Sequence, residues 1–516
     1  MATVAKPSVA VNQGQGAYYC EMPTAPCAMV MFGASGDLAN RKLIPALFDL
    51  ARHHCLAPRF KLLGFARTKM TDDSFREATS KAIEKAASEG EGGKEAAAEF
   101  VSHFQYFVGN YDDANSYKEL AKRLEELDKE GQLGGNRLFY LATPPEIYPM
   151  VVENLGAAGL AKPKDGAFAR LIVEKPFGHD LKSARELNAR LLKVFDEKDV
   201  FRIDHYLGKE TVQNLLVFRF GNGIFEPLWN RNYVEHVEIT AAETLGVEKR
   251  GGFYENTGAL RDMVQSHVLQ LTSLVAMEPP ADFQATPLRN EKIKVLQSIT
   301  PFQGRDISKD VVRGQYGPGV VDGKQVPGYR QEPGVKPDST TETFVALKLY
   351  VDNWRWNGVP FYLRTGKRLA KSTTQITIQF RQAPHIVFRG ERLMANRLVL
   401  NIQPDEGISM SFGAKVPGQQ MHIAPVTMDF RYQSAFGGVS RDAYATLIND
   451  CLRGDATLFD RADSVEAAWE LLDPIEEAWA SGGAGAVNFP NYAAGSDGPE
   501  AALKLQEAEG QKWKEL

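Results

Sequence analysis

The sequence predicts a chain of α/β plus α+β class: a Rossmann-like, doubly wound parallel sheet, then a larger domain built on a big, mainly antiparallel sheet with helices. Between residues 27 and 200, short apolar runs such as CAMVMFGASG and ARLIVEKPFG alternate with helical stretches. Buried strands joined by crossovers of helical length form parallel sheets. After residue 230, runs such as VEHVEITAAE and TFVALKLYV alternate apolar and polar residues. That period indicates an antiparallel sheet with one face in water.

The chain of 516 residues is long enough for two or three packed domains. We expect residues 1–26 to form a disordered tail, residues 27–200 to form the first domain and residues 201–516 to form the second. The Pro- and Gly-rich stretch between residues 280 and 340 is expected to run over the surface. The closing residues are expected to be loop-like.

Composition argues against several classes of protein. The chain is 43% apolar and 24% charged, with a net charge of -5, so nothing suggests nucleic acid or an anionic membrane as a partner. It lacks the apolar run of about 18 residues that a membrane span needs, and its start resembles neither a signal nor a transit peptide. Its four cysteines show neither a metal-ligand nor a disulfide pattern. We therefore expect a cytoplasmic protein.

The first candidate site is the turn in AMVMFGASGDLANRKLIPALF. An apolar strand passes there through Gly33, Ser35 and Gly36 into a helix that begins near Leu38. Glycines let the backbone approach a pyrophosphate, and the start of a helix offers free N–H groups. The turn lacks the leading G-x-G of the dinucleotide fingerprint, so on its own it fits a purely structural turn equally well.

The following strand, in FKLLGFARTKM, ends in Arg67 and Lys69. An NAD site would place a carboxylate here for the ribose hydroxyls, whereas a cation suits the 2′-phosphate of NADP. The alternative is a solvated loop charge. Together with the glycine turn, Arg67 favours NADP as the cofactor.

A third strand, in LIVEKPFGHD, ends in Glu174, Lys175 and Pro176. Ligands of open α/β sheets bind beyond the carboxyl ends of the strands, so the fold delivers Lys175 to the crevice. Pro176 suits a tight turn, and a cis peptide bond there would aim the lysine. The alternative is a lysine that extends from a strand end into water.

The stretch RIDHYLGKE carries four chemically useful side chains in six positions. If the segment after Asp204 is helical, His205 and Lys209 lie on one face beside Tyr206. Their donors and positive charge suit a phosphate monoester. Asp204 would repel phosphate, so we expect it to bond to a histidine instead and to fix the tautomer and charge of that imidazole, as in a general-base pair. The alternative is an exposed, charged helix.

That histidine has a candidate in GALRDMVQSHVLQLTSLVAM. His267 falls on one helical stripe with apolar residues, namely Leu260, Val264, Leu271 and Leu274. A buried imidazole held by a carboxylate is a base that titrates near neutrality, although a histidine on an apolar face is more often a satisfied core residue. Asp262 and Glu243 supply carboxylates that could accept bonds from sugar hydroxyls, or could be ordinary surface acids.

In combination, these stretches resemble the glucose-6-phosphate dehydrogenase family. The resemblance runs from about residue 27 to the last helices, on motifs in the family's order: GASGDLA, GFAR, EKPFG, RIDHYLGKE, RGGFYENTGALRDMVQSHVLQ, GVPFYLRTGKRL and RGDATLFDRADSVEAAWELLDPI. It implies NADP-dependent oxidation of D-glucose 6-phosphate at C1 to 6-phospho-D-glucono-1,5-lactone, the first step of the oxidative pentose phosphate pathway. Residues 27–200 would bind NADP, and residues 201–516 would bind the substrate and a partner subunit.

The resemblance also implies a role for each candidate. His267 would take the proton of the anomeric hydroxyl with Asp204 as its partner, and Lys175 would lie between substrate and coenzyme. The other implied substrate ligands are His205, Tyr206, Lys209, Glu243, Asp262, Lys367 and Lys371. The implied coenzyme ligands are Gly33, Ser35, Gly36, Asp37, Leu38, Arg67, Tyr111, Asp112 and Lys175. We expect no metal ion, because lactone formation from a cyclic hemiacetal needs only a base and a hydride acceptor.

One position departs from the family's pattern. A second cation is expected five residues after Lys367, but that residue is Ser372, and the neighbouring cation is Lys371. Either the loop shifts by one residue, or one substrate contact is lost. Gln403 resembles a residue near the substrate in relatives. The sequence distinguishes neither a homodimer from a homotetramer nor the presence of a second, structural NADP.

Two other functions stay open. One is an NADP-linked oxidoreductase for unphosphorylated hexose, which would leave His205, Tyr206 and Lys209 without a role. The other is a catalytically silent NADP-binding sensor, which would have no reason to keep Asp204 and His267.

Overall fold

The computed structural model describes the chain from residue 24 onward, with several internal gaps. The described residues are 24–88, 93–163, 166–304, 306–384, 387–388, 393–437, 442–482, 487–507 and 510–516. The tail expected at residues 1–26 therefore lies almost wholly outside them, and its disorder stays a prediction.

The first domain is built on a six-stranded parallel sheet. In chain order the strands are β1 (Ala28–Phe32), β2 (Lys61–Ala66), β3 (Phe104–Val108), β4 (Arg137–Leu141), β5 (Ala169–Glu174) and β6 (Val200–Ile203). Their spatial order is β3-β2-β1-β4-β5-β6, with every pair parallel. The strand order reverses between β1 and β4, the point at which doubly wound sheets bind their ligands. The predicted Rossmann-like sheet is confirmed.

Helices cover both faces of this sheet, as its buried apolar strands require. They are α1 (Ile44–Arg52), α2 (Asp72–Ser88), α3 (Gly93–Ser102), α4 (Ala114–Gly131), α5 (Tyr148–Ala157) and α6 (Leu181–Leu192). A wide-turned π-helical segment, Ala39–Leu43, joins the glycine turn to α1.

The second domain is built on an eight-stranded, mainly antiparallel sheet, as predicted. Its strands are β7 (Val234–Ala242), β8 (Val311–Gly314), β12 (Phe344–Tyr350), β13 (Pro360–Gly366), β14 (Thr373–Phe380), β15 (Arg397–Gln403), β16 (Gly407–Lys415) and β17 (Ile423–Arg431). The spatial order is β17-β16-β15-β14-β7-β13-β12-β8. The neighbours β7 and β13 are parallel, and the other pairs are antiparallel.

Short strands and helices complete this domain. The strands are β9 (Tyr316–Gly317), β10 (Gly319–Val321), β11 (Lys324–Val326) and β18 (Tyr492–Ala493). The helices are α7 (Glu210–Phe220), α8 (Gly251–Tyr254), α9 (Leu269–Ala276), α10 (Ala285–Ser298), α11 (Tyr432–Phe436), α12 (Ala443–Arg453), α13 (Ala462–Ala480) and α14 (Glu500–Glu507). A π-helical segment, Leu260–Val268, runs directly into α9.

The prediction of one face in water is wrong for the centre of the large sheet. Strands β7, β13 and β14 are buried on both faces, and only the outer strands β16 and β17 have mostly accessible residues. One face packs on the helix that ends in α9, through residues such as Val237, Leu271 and Val275. The other face is covered by aromatic residues from distant parts of the chain.

Two segments that were expected to be loops supply this second cover. Tyr316 and Tyr329, from the Pro- and Gly-rich stretch, are fully buried. At the carboxyl end, Trp513 is 8% exposed and packs on Tyr362, with ring centroids 5.8 Å apart. The guanidinium of Arg364 lies 4.6 Å from the Trp513 ring. Residues 511–516 contain no helix or strand, as the loop-like expectation has it, and much of the Pro- and Gly-rich stretch is accessible. What the sequence did not indicate is that both segments bury aromatic side chains against the large sheet.

The two domains share a packed boundary. Helix α12 contributes Leu447 and Ile448 to the same core as Phe201 of β6, and Trp469 of α13 donates a 3.0 Å hydrogen bond to the carbonyl of Phe177. The parallel sheet extends to Ile203. The expected division near residue 200 stays a prediction.

The cysteines differ from expectation in one respect. Cys27 and Cys451 are free and buried, whereas Cys55 is disulfide-bonded, a pairing that the spacing of the cysteines did not indicate. Within the described residues, no helix combines the length and apolarity needed to cross a bilayer.

Replacing Trp513 with alanine should test the structural role of the closing segment. The change removes a buried indole that also donates a 2.9 Å hydrogen bond to the carbonyl of Ala502. Truncating a buried tryptophan costs about 3 kcal/mol or more, so the free energy of unfolding in denaturant should fall by that order. Trp354→Ala is the control, because Trp354 is 91% exposed and its loss should cost less than about 0.5 kcal/mol. Equal losses in the two variants would contradict the structural role.

Candidate functional site

The candidate site lies where the carboxyl ends of both sheets meet. The glycine turn follows β1, Arg67 follows β2, Lys175 follows β5 and Asp204 follows β6. Parallel strands place these ends on one edge of the first sheet. Strands β7 and β13 are also parallel, so Glu243 and Lys367, which follow them, emerge together from the second sheet.

Between the two edges lies a cavity of about 500 Å³. Seven of the eight substrate ligands implied by the sequence line it, together with His267. The lining side chains are Lys42, Lys175, His205, Tyr206, Lys209, Glu243, Arg250, Asp262, Met263, His267, Lys367, Gln403, Glu406, Asp442, Ala443 and Tyr444. The cavity wall therefore carries five cationic and four acidic side chains, a mixture that suits a ligand with both an anionic group and hydroxyls.

Asp204 and His267 form a buried pair next to this cavity. Nδ1 of His267 lies 2.5 Å from Oδ1 of Asp204, and each side chain is 1% exposed. The same carboxylate oxygen accepts a 2.9 Å hydrogen bond from the backbone N–H of Tyr206. Because Nδ1 is engaged, Nε2 is the nitrogen of His267 that remains to exchange a proton with a ligand.

Electrostatics give the two members of the pair different charges. Burial opposes the charge on Asp204, but His267 and its hydrogen bond hold the pKa of this carboxyl below its usual value. Burial lowers the pKa of His267; Asp204 opposes this lowering and the nearby charge of Lys175 adds to it. At neutral pH the pair therefore combines a carboxylate with a neutral imidazole, the arrangement of a general base.

The helix that carries His267 departs from the expected stripe. Residues Leu260–Ala276 are buried on almost every side, because the helix lies between the large sheet and α13. Its first part is π-helical, and hydrogen bonds five residues apart bring Asp262 and His267 towards the same side. Both residues consequently face the cavity.

The segment after Asp204 forms tight turns rather than the expected helix, which begins only at Glu210. The Asp204 side chain takes the backbone N–H of Tyr206, and such a local bond competes with helix formation. His205, Tyr206 and Lys209 nevertheless converge. Nζ of Lys209 lies 3.9 Å from the Tyr206 ring centroid, and the ring of His205 lies 4.6 Å from that of His267.

Aromatic contacts and burial tune this cluster. The Tyr206 ring stacks on His267 at a centroid distance of 4.1 Å. Burial lowers the pKa of Lys209 to about 8, and burial together with His267 holds the pKa of His205 well below its usual value. Lys209 also donates a hydrogen bond to Oε1 of Gln403. The cluster thus offers one cation and one neutral imidazole to an incoming ligand.

Lys175 connects the two domains across the cavity. It precedes Pro176 through a cis peptide bond. Its Nζ donates to the backbone carbonyl of Asp262 at 2.7 Å and lies 3.2 Å from Oδ1 of the same residue. Burial opposes ionisation of Asp262, but Lys175 and Lys367 hold the pKa of its carboxyl below the usual value. Asp262 is therefore ionised and can accept hydrogen bonds.

Lys367 and Glu243 form a second charged pair in the cavity, with Nζ 2.5 Å from Oε2. Lys371 is exposed and is not among the cavity-lining residues. Ser372, the residue five positions after Lys367, bonds to Thr244 instead, its Oγ accepting from the Thr244 N–H at 2.9 Å. Of the implied substrate ligands, Lys371 alone is not brought to the cavity.

The expected coenzyme ligands lie along the edge of the first sheet. Gly33 has φ +84°, and a Cβ there would approach the carbonyl oxygen of Ala142 to 2.4 Å, so the turn requires glycine. Ser35 and Asp37 are exposed, and Leu38 is half-buried. The N–H of Gly36 closes the turn by donating to the carbonyl of Gly33 at 2.9 Å.

Arg67 reaches outward from the end of β2, with its guanidinium 5.5 Å from the ring centroid of Tyr111. Tyr111 follows β3 and is 8% exposed, whereas Asp112 is exposed. Within the described chain, Arg67 makes neither an ion pair nor a hydrogen bond. A phosphate could therefore bind it without displacing an internal partner, so the glycine turn and Arg67 together fit a phosphorylated dinucleotide.

Sequence reasoning missed several cavity residues, including Lys42, Arg250 and Tyr444. Lys42 lies just after the glycine turn and approaches Asp442 to 3.6 Å. Its position shortly after a turn that suits phosphate could have identified Lys42 from the sequence. Arg250 lies just beyond β7 and adds positive charge near Asp262. Nothing local distinguishes Tyr444, because α12 reaches the cavity only through packing of the two domains.

Asp204, His205 and His267 also place possible metal-ligand atoms within 4.8 Å of one another. In this group Nδ1 of His267 already bonds to Asp204. The expectation that the site needs no metal ion stays a prediction.

Comparison with known proteins covers both domains. Residues 30–214 match the model of the glucose-6-phosphate dehydrogenase NAD binding domain, and residues 216–514 match the model of the C-terminal domain of the same family. The glucose-6-phosphate 1-dehydrogenase of Aggregatibacter actinomycetemcomitans is 49% identical over 96% of this chain and 98% of its own. That of Bacillus subtilis is 42% identical over 94% of this chain and 97% of its own.

Solved structures agree with the sequence relatives. A glucose-6-phosphate dehydrogenase in complex with glucose 6-phosphate superposes with a TM-score of 0.87 at 36% identity, covering 96% of this chain and 99% of the other. The enzyme from Mycobacterium avium gives a TM-score of 0.81 at 35% identity over the same shares. The first domain is a nicotinamide-dinucleotide-binding domain, and the chain belongs to the glucose-6-phosphate dehydrogenase family.

Proposed function

We propose that this protein oxidises D-glucose 6-phosphate at C1 to 6-phospho-D-glucono-1,5-lactone and transfers the hydride to NADP. The observation that carries the proposal is the Asp204–His267 pair, which adjoins the same cavity as His205 and Lys209. A base and a phosphate-binding cluster within one cavity suit a sugar phosphate. The names of the relatives support the same reaction.

His267 acts as the base in this proposal. Its Nε2 takes the proton of the C1 hydroxyl, the C1–H electron pair leaves as hydride, and the C1–O bond becomes the lactone carbonyl. Asp204 fixes the tautomer of His267 and stabilises the imidazolium that forms. When bound, the dinucleotide supplies the hydride acceptor at C4 of its nicotinamide ring.

The 6-phosphate binds at His205, Tyr206 and Lys209. A phosphate dianion close to His205 would counteract the burial that keeps this imidazole neutral, so substrate binding would favour its protonation. Lys209 contributes a partly buried charge, and Tyr206 a hydroxyl that lies 3.4 Å from Oγ1 of Thr374. Charged donors of this kind bind phosphate strongly.

Asp262 and Glu243 orient the sugar. Both are carboxylates of the cavity wall and accept bonds from ring hydroxyls, while Lys175 and Lys367 hold them in place. Lys175, which extends from the first domain, lies between substrate and coenzyme. A sugar fixed at both its phosphate and its hydroxyls presents C1 to His267.

NADP is the proposed coenzyme rather than NAD. Gly33, Ser35, Gly36, Asp37 and Leu38 form the turn that approaches the dinucleotide. Arg67 supplies the cation for the 2′-phosphate, and Tyr111 and Asp112 border the adenosine half. No carboxylate follows β2 at the position where an NAD site holds its ribose.

The alternative functions are less well supported. An oxidoreductase for unphosphorylated hexose would have no use for the phosphate cluster, and a silent sensor would have none for the buried base.

We also propose a cytoplasmic homodimer or homotetramer. The outer strand β17 exposes Val426 and Met428, and an accessible apolar sheet face suits contact with a second copy.

Replacing His267 with asparagine tests the base. Because a positioned base contributes about 10²–10⁴ to the rate, kcat should fall by at least about a hundredfold while glucose 6-phosphate still binds. Steady-state kinetics and calorimetric titration of the substrate measure the two effects. His422→Asn, an exposed histidine before β17, is the control. A kcat near the wild-type value in His267→Asn would contradict the assignment.

Replacing Lys209 with alanine tests the phosphate cluster. A lost charge-assisted contact costs about 1.5–3 kcal/mol, so KM for glucose 6-phosphate should rise about ten- to a hundredfold with kcat largely kept. Lys371→Ala is the comparison, and its KM should change little because its side chain lies outside the cavity. Equal rises in KM would contradict this placement of the phosphate.

Replacing Arg67 with alanine tests the choice of coenzyme. The variant should lose about tenfold or more in kcat/KM with NADP, because the 2′-phosphate loses its cation, and little with NAD. Lys69→Ala controls for a general loss of positive charge. Parallel losses with both coenzymes would show that Arg67 does not read the 2′-phosphate.

A further inference from the structure

Glu174 is a buried carboxyl that the proposed reaction does not use. It is the last residue of β5 and the residue directly before Lys175. In the sheet it pairs with Ile203, the residue directly before Asp204. Glu174 is thus the chain neighbour of Lys175, and in the sheet it lies beside the residue that precedes Asp204.

The Glu174 side chain is largely shielded from water. The residue is 8% exposed, and its Oε1 accepts a 2.5 Å hydrogen bond from the hydroxyl of Tyr140 on β4. Glu174 is absent from the lining of the substrate cavity.

Five ionisable groups from five parts of the chain interact electrostatically with this carboxyl. They are Tyr140 of β4, Tyr148 of α5, Lys175 after β5, Asp204 after β6 and Tyr444 of α12. Burial raises the pKa of Glu174 to about 7, while the Tyr140 hydrogen bond and the charge of Lys175 oppose this rise. The charge of Asp204 adds to it. A small change in pH near neutrality therefore changes the charge beside the Asp204–His267 pair.

We propose that Glu174, held by Tyr140, is a positioning residue that sets the basicity of His267 through Asp204 and Lys175. The inference rests on the proposed function. With Glu174 protonated, the negative charges that favour a protonated His267 are those of Asp204 and Asp262. Ionised Glu174 adds a further negative charge, which attracts Lys175 and favours a protonated His267. His267 is then the stronger base.

The sign of the pH effect follows from this arrangement. As pH rises through the ionisation of Glu174, kcat rises further than deprotonation of His267 alone would produce. Glu174→Gln, which keeps the shape but cannot ionise, leaves His267 less basic. In the profile of kcat against pH, the alkaline plateau of this variant should be severalfold lower than that of the wild type. The acidic limb of the same profile should move to lower pH.

Tyr140→Phe should act in the opposite direction. The Tyr140 hydroxyl stabilises the carboxylate, so its removal raises the pH at which Glu174 ionises. The acidic limb should move to higher pH with an unchanged plateau. Neither side chain lines the cavity, so KM for glucose 6-phosphate should change less than about twofold in either variant.

The test is kcat and kcat/KM against pH for the whole protein, with glucose 6-phosphate and NADP. The control is Glu153→Gln, an exposed acid of α5 paired with Arg190, which should reproduce the wild-type profile. Opposite shifts in Glu174→Gln and Tyr140→Phe support the proposal. A Glu174→Gln limb that coincides with the wild-type limb, or shifts of one sign in both variants, would overturn it.

Infrared spectroscopy tests the same residue without turnover. The carbonyl band of a protonated carboxyl should disappear as pH rises through neutrality in the wild type and should be absent from Glu174→Gln. Subtracting the variant spectrum removes other buried acids such as Glu342 and Asp460. Failure to find the band would overturn the proposal about Glu174. A wild-type protein that reduces no NADP with glucose 6-phosphate would contradict the proposed function instead.

Discussion

The contact between Asp204 and His267 is the interaction on which the rest of the site depends. Asp204 follows β6 of the first sheet, and His267 belongs to the helix that covers the second sheet, so the pair exists only when both domains fold and dock. A carboxylate buried to 1% exposure is costly unless a partner compensates it. The His267 ring and the Tyr206 N–H both bond to Oδ1 of Asp204 and supply part of that compensation, and the bond at Nδ1 of His267 fixes the direction in which its Nε2 points.

The docking of the domains organises the remaining side chains around this pair. Lys175 crosses from the first domain to Asp262 of the second. Helices α12 and α13, from the distal part of the chain, pack back onto the parallel sheet and bring Tyr444 to the cavity. The closing segment covers the far side of β13, the strand that ends beside Lys367. The hydroxyl of Tyr492 donates a 2.8 Å bond to the carbonyl of Lys367.

The pattern of apolar and polar residues in short stretches of sequence was enough to predict the two sheets and several side chains of the site. The apolar runs predicted both sheets. Asp204, as a carboxylate beside a predicted phosphate site, was expected to pair with a histidine, and His267 was the candidate. Pattern failed where distant contacts decide. Residues 205–209 form turns because the Asp204 side chain captures the Tyr206 N–H and because Gly208 packs against Ala443, leaving no room for a Cβ. The burial of Trp513 and the cavity position of Tyr444 likewise follow from tertiary packing, which no short window of sequence contains.

The most direct measurement is the absorbance of reduced nicotinamide with purified protein, offered glucose 6-phosphate or glucose together with NADP or NAD. The account predicts rapid reduction of NADP with glucose 6-phosphate and little reduction with glucose, because the sugar is held by its phosphate at His205 and Lys209. Reduction with glucose alone would contradict the role of that cluster. No reduction with any pair would contradict the assignment of Asp204 and His267 as a working base.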